Sequence, residues 1–233
     1  MPGDLTYFWI PSPEPERGRA FYSGLFGWTL EPREGGDGYG ISSTTVYGGI
    51  VGGREGSRPF LYFNTDDVRN AAEAVHEFGG HAGEVSTFPE GESVECTYDG
   101  VEFGIFRPAG EWQPAQPCNQ WGDLSYLTIP VGDAADARAF YASIFGWEYE
   151  HDDIDAPYHH VSNVVPPGGL FTADDGHRPR SYFRVENVEA SLQRVRDLGG
   201  DVGMPAESVT GISVACTDDQ GIEFSLWQPA AGY

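Results

Sequence analysis

The 233-residue sequence predicts an α+β protein in which one strand–helix–strand–strand–strand unit is used four times in tandem. Residues 21–28 read FYSGLFGW and residues 140–147 read FYASIFGW, so the chain repeats itself at about half its length. Within each copy, short aromatic-rich runs bounded by Gly and Pro alternate with two stretches whose apolar residues recur at helical spacing.

The repeat is traceable from end to end. Leu5, Tyr7, Ile10 and Pro11 match Leu124, Tyr126, Ile129 and Pro130 at an offset of 119. The offset becomes 120 for Arg58-Pro59-x-x-Tyr62-Phe63 against Arg178-Pro179-x-x-Tyr182-Phe183, for Gly79-Gly80 against Gly199-Gly200, and for Cys96 against Cys216. It reaches 121 where Gly100 and Phe103 meet Gly221 and Phe224, and Pro108 meets Pro229. Drift by single residues means small loop changes inside a duplicated fold. Residues 109–120 carry two Pro, one Gly and one Cys without periodicity, which places a first domain at 1–115, a linker at 116–122 and a second domain at 123–233.

In copy one, residues 5–11 form a strand ended by Pro11. Glu14-Pro15 opens a helix whose stripe of Ala20, Phe21, Leu25 and Phe26 stops at Gly27. Strands follow at 28–30, 39–47 and 50–51. A second unit then begins with a strand at 60–64 and a helix at 68–78 closed by Gly79-Gly80, followed by strands near Glu84, at 93–97 and at 102–107. In copy two, Asp133 stands at an N-cap with Asp136 three residues on, starting a helix over 134–145.

Composition narrows the function. A 39% hydrophobic, 14% aromatic chain has material for a core, and no run approaches the ~18–20 apolar residues of a membrane span. Thirteen basic residues, all Arg, against 36 acidic ones give a net charge of −23, which argues against nucleic acid and anionic membranes as partners. Three cysteines form no disulfide framework and the start Met1-Pro-Gly-Asp4 resembles no secretory signal, so a cytoplasmic location is expected.

The helix ending FY-x-x-x-FGW after a first strand, the repeated module and the terminal D-x-x-G-x-x-F-x-L-W segment resemble the vicinal oxygen chelate superfamily, which includes glyoxalase I, bleomycin-resistance proteins, fosfomycin-resistance enzymes and extradiol dioxygenases. The resemblance covers nearly the whole chain and is nearest to tandem glyoxalase-like bacterial proteins. It implies four βαβββ modules forming two cup-shaped mixed sheets with helices outside.

In metal-using members of that superfamily, His, Gln or Glu donors converge from the first and last strands. The corresponding positions are Tyr7, Phe60 and Gly104 in copy one, and Tyr126, Arg180 and Ser225 in copy two. None is a usual ligand, and residues 48–53 and 168–171 add none. No catalytic metal and no other cofactor is therefore expected. Of the six histidines, His76 and His81 fall on and just after a helix. His159 and His160 are adjacent on a strand, so alternation admits only one of them to the cup; His151 and His177 stand in loops. The acidic run 150–155 lacks the Gly and Glu of a calcium loop, and the glycine run at 48–53 has no phosphate-binding pattern.

Strand alternation then names the residues lining each cup. Copy one presents Tyr7 and Trp9, then Phe60, Tyr62 and Asn64, then Glu102, Gly104 and Phe106. Copy two presents Tyr126 and Thr128, then Arg180, Tyr182 and Arg184, then Glu223, Ser225 and Trp227. Such aromatics serve as core or as a ligand wall, and a planar, largely apolar aromatic molecule such as a polyketide, quinone or drug fits the second reading. Glu102, Glu223, His159 and His160 are the candidate acids and bases. Two functions stay open on this reading: a metal-independent enzyme of secondary metabolism or detoxification, and a protein that sequesters its ligand without turnover. A metal-dependent glyoxalase or dioxygenase stands third. The expected partner is a small aromatic molecule, and the expected state a monomer or weak homodimer.

Overall fold

A computed structural model describes all residues except 1, 34–35, 111–115, 152, 154–155, 162 and 174–178. His177, Arg178 and part of the acidic run thus lie outside the described residues. The element order is β1 (Leu5–Pro11), α1 (Pro15–Phe26), β2 (Leu30–Pro32), β3 (Gly38–Ile41), β4 (Tyr47–Val51), β5 (Phe60–Asn64), α2 (Val68–Glu77), β6 (His81–Ala82), β7 (Ser86–Phe88), β8 (Gly91–Tyr98), β9 (Val101–Pro108), β10 (Leu124–Val131), α3 (Ala134–Phe145), β11 (Tyr158–Val161), β12 (Gly168–Thr172), β13 (Arg180–Arg184), α4 (Val188–Asp197), β14 (Asp201–Val202), β15 (Ala206–Ser208), β16 (Gly211–Thr217) and β17 (Glu223–Pro229). This is the α+β, module-repeated architecture that the sequence predicts. The strands of copy one belong to a nine-stranded mixed sheet and those of copy two to an eight-stranded one.

Local differences from expectation have simple causes. The strand expected over 39–47 is two strands, β3 and β4, because residues 42–46 turn the chain back so that β3 pairs antiparallel with β4. The strand expected at 28–30 starts later, at Leu30, since Trp28 turns its ring into the core. The strand expected near Glu84 is two short pieces, β6 and β7, both laid on β8. In the third module the strand after the helix shrinks to a single bridge between Tyr149 and Val161.

The residues form two compact units, each drawing on both copies: residues 1–6, 60–116 and 127–179 in one, and 7–59, 117–126 and 180–233 in the other. In the first unit, β5 runs parallel to β9, β9 pairs with β8, and β10 runs parallel to β12. In the second, β1 runs parallel to β4 and β13 to β17.

The helices are punctuated as the chemistry of their ends requires. Pro15 opens α1, and Gly27 closes it in the left-handed region at φ 72°, its N–H donating to the Ser23 carbonyl. Asp133 accepts from the Asp136 N–H at 2.9 Å, a cap worth about 1 kcal/mol. Asp67 and Asn187 cap α2 and α4 in the same way.

The FY-x-x-x-FGW motif is core in both copies. Tyr22 stacks on Trp28 at 5.6 Å in the second unit, and Tyr141 on Trp147 at 4.8 Å in the first. The Trp28 indole N–H donates to the Gly122 carbonyl at 3.1 Å and that of Trp147 to the Gly3 carbonyl at 3.3 Å. Both glycines hold φ 90°, and a Cβ on either would lie under 3 Å from the indole. Phe183 packs on Phe26, and Phe63 on Phe145, so these strand residues point toward the helices and their sequence neighbours point the other way. Among the described residues no helix is long and apolar enough to cross a membrane.

Candidate functional site

On the strand faces turned away from the helices, glycines in the partner strands make room for the rings of Tyr7 and Tyr62. In the second unit, Gly49 of β4 pairs with Trp9 of β1, and the Tyr7 hydroxyl stands 2.4 Å from where a Gly49 Cβ would be. Only glycine lets that ring lie flat on the sheet. Burial pushes the Tyr7 phenol up to about 12, with the Arg33 guanidinium pulling the other way, so it stays a protonated donor. Tyr7 meets Trp9 edge to face at 5.8 Å and Tyr47 at 5.6 Å. Two guanidiniums flank the Trp9 ring, Arg33 at 5.1 Å and Arg54 at 5.8 Å from its centroid.

In the first unit, Phe60, Tyr62 and Asn64 of β5 are buried, and the Phe60 and Tyr62 rings meet at 5.1 Å. Tyr62 lies across Gly104 of β9, where a Cβ would come within 2.1 Å of the ring. Its hydroxyl donates to the Glu95 carboxylate on β8 at 2.8 Å. Glu95 is paired in register with Gly104, so phenol, carboxylate and bare glycine backbone form one array. Phe106 is half-buried further along β9, and Glu102 is exposed.

Copy two differs at each matching place. In the second unit Tyr126 and Tyr182 meet at 6.1 Å. Tyr182 pairs with buried Ser225, and Ser225 with Ala215, where copy one has Glu95. Arg180 is exposed, while Arg184 lies 5.2 Å from the Trp121 ring and 5.5 Å from that of Trp227, and donates to the Tyr233 carbonyl at 3.0 Å. Glu223 is half-buried and ion-paired with Arg58, and its N–H donates to the Ser57 carbonyl. In the first unit Thr128 is buried. His159 and His160 go to opposite faces as strand geometry requires. His159 turns to the helix side, 3% exposed, where burial and the Arg138 guanidinium hold its pKa below the ordinary value. His160 is on the opposite face, 3.6 Å from Glu150.

Alternation thus grouped Tyr7 with Trp9, Tyr62 with Phe60 and Asn64, and Gly104 with Glu102 and Phe106, but left out Glu95, Arg33, Arg54 and Tyr47. Glu95 was recoverable by extending the same alternation across 93–97. The arginines lie beyond strand ends, where no periodicity marks them.

The positions at which the resemblance implies divalent-ion donors carry side chains that do not suit one. Tyr7 is a protonated phenol, Phe60 has no donor, Gly104 is covered by a ring, and Arg180 is a cation. No group of three or more His, Cys, Asp or Glu placed to hold a metal ion occurs among the described residues.

Comparison with known proteins agrees with this architecture. Residues 126–227 match the model of a glyoxalase-like domain. Over the whole chain and 95% of its relative, the sequence is 25% identical to the anthracycline biosynthesis protein DnrV of Streptomyces peucetius. The fold superposes on the Mn(II)-bound glyoxalase of Novosphingobium aromaticivorans with a TM-score of 0.67 at 13% identity, covering 97% of this chain and 82% of that one. Homoprotocatechuate 2,3-dioxygenase of Brevibacterium fuscum gives 0.68 at 12% identity, covering 97% and 81%.

Proposed function

We propose that this chain, whose residues 126–227 match a glyoxalase-like domain, binds planar aromatic small molecules on the open strand faces of its two units, and that β5, β8 and β9 of the first unit transfer a proton on one of them without a metal ion. The observation that carries this reading is the Tyr62–Glu95 hydrogen bond over Gly104. A proton leaving the ligand can pass to the Tyr62 oxygen as the phenol's own proton moves to Glu95, and the reverse sequence delivers one. The aromatic character of the ligand is supported in each unit by itself, by Phe60 and Tyr62 in the first and by Tyr7, Trp9 and Tyr47 in the second, whose ring faces suit flat apolar surfaces. It is also supported by the relative DnrV, a protein of anthracycline biosynthesis, anthracyclines being fused-ring aromatic molecules.

A second reading, sequestration without turnover, is favoured by the state of two candidate acids: Glu102 is exposed and Glu223 is engaged by Arg58. The test combines tryptophan-fluorescence titration with 1,8-dihydroxyanthraquinone and mass spectrometry of a panel of aromatic polyketides incubated with the protein. For the enzyme, Glu95→Gln and Tyr62→Phe keep affinity within about threefold and abolish conversion, while Phe60→Ala weakens binding of the converted molecule about tenfold. Tight binding with no conversion of any panel member by the wild type would support sequestration instead.

A further inference from the structure

We propose that Arg33 and Arg54 form an anion-recognition rim, so that the molecule held against Tyr7 and Trp9 is a fused-ring aromatic bearing a carboxylate. The inference rests on the aromatic-ligand reading above and adds the charge of the ligand.

Three segments converge to build this rim: Trp9 from β1, Arg33 from just after β2 and Arg54 from just after β4, with both guanidiniums within 6 Å of one indole centroid. A guanidinium stacked on a ring uses its face for that contact, and its N–H edge is the part that grips a carboxylate through two parallel hydrogen bonds. The neighbouring Tyr7 phenol remains a protonated donor rather than a competing anion.

Charge elsewhere makes the pair informative. The protein carries −23 overall, a field that repels anionic ligands unless a site reverses it locally. The two copies differ here in sequence. Offsets of 119 and 120 set Arg33 against Asp152 and Asp153, an offset of 120 sets Arg54 against Asp174, and Trp9 is matched by Thr128. Along the repeat, two arginines and a tryptophan thus stand against aspartates and a threonine, so the cations beside Trp9 belong to copy one alone.

The experiment measures binding of three probes to the full chain by tryptophan fluorescence at two salt concentrations: anthraquinone-2-carboxylate, 2-(hydroxymethyl)anthraquinone and 2-(aminomethyl)anthraquinone. The wild type should prefer the carboxylate over the neutral probe by about tenfold, and the preference should shrink at high salt. Arg33→Gln with Arg54→Gln should remove the preference, the carboxylate probe losing about tenfold more affinity than the neutral one. Arg33→Asp with Arg54→Asp should move the preference to the amine, and single Arg33→Gln should give an intermediate loss if either double variant melts early. Equal wild-type affinity for the carboxylate and neutral probes, or a preference surviving both double variants, would overturn the anion rim while leaving the aromatic reading intact. Failure of all three probes to bind would overturn the aromatic reading and this inference with it.

Discussion

Copy one and copy two keep the same core and diverge on the same face. Tyr22–Trp28 and Tyr141–Trp147 stack in matching pairs, each indole donating to a glycine carbonyl at φ 90°. On the opposite strand face, Tyr62, Glu95 and Gly104 become Tyr182, Ala215 and Ser225. Even a shared feature is built differently: the backbone at Gly49 is covered by the Tyr7 hydroxyl, whereas at its counterpart Gly169 the Tyr158 hydroxyl, from the edge strand β11, takes that place. Core positions answer to packing, which both copies must satisfy, and the open face answers to whatever binds there. The difference therefore lies in a carboxylate that copy one alone sets beside the tyrosine phenol, Glu95 against Tyr62.

The largest expected effect tests the shared part. Trp28→Ala and Trp147→Ala should each destabilise the protein by about 3–5 kcal/mol in chemical denaturation, against about 1 kcal/mol for half-buried Trp9→Ala. Unequal losses for the two core tryptophans would break the equivalence of the cores.

Gly104→Ala comes next. Its Cβ must displace the Tyr62 ring, which should cost about 1–3 kcal/mol and break the hydrogen bond to Glu95, while Ser225→Ala at the matching place stays within about 1 kcal/mol. Both are read from denaturation midpoints, and anthraquinone binding should fall for Gly104→Ala alone.

Alkaline pH reaches both copies. Burial pushes the Cys96 and Cys216 thiols up to about 12, one in each copy, and each copy adds a half-open tyrosine: Tyr7 in copy one, up to about 12, and Tyr149 in copy two, pushed up further. Groups held protonated in the folded state contribute stability below their unfolded values, and that stability falls as pH rises toward 12. The loss should begin near pH 9 for the thiols and steepen near pH 10, and Tyr7→Phe should remove about 1 kcal/mol of the loss between pH 10 and 11.

The smallest effect lies on the acid side and belongs to copy two. Burial and Arg138 depress the His159 pKa, so its contribution is present above the unfolded value near 6.5 and fades as pH falls through the folded one. His159→Gln should flatten the decline of melting temperature below about pH 6.5, with no matching effect from Tyr39→Phe at the equivalent position of copy one.

The fold was legible because its signals are local or repeated. Gly27 and Gly146 end helices in the left-handed region, Asp133 caps α3, and the two FGW segments lock the register of the copies. The face assignments of Tyr7, Trp9, Tyr62 and Tyr182 needed only the two-residue period of a strand. Residues 42–46 escaped because Thr44, Thr45 and Val46 are β-branched residues that favour a strand and no Gly or Pro marks the turn.

By itself the sequence determined a duplicated α+β chain and the aromatic character of its open strand faces, with Tyr7, Phe60 and Gly104 among the residues there. Tertiary structure alone decided that the Tyr62 phenol meets Glu95, that Arg33 and Arg54 flank Trp9, and that each compact unit draws on both copies. The physical reason is separation along the chain. Periodicity reports which face a side chain takes within its own strand, whereas contacts between residues tens of positions apart depend on strand register and loop path, which no local pattern encodes.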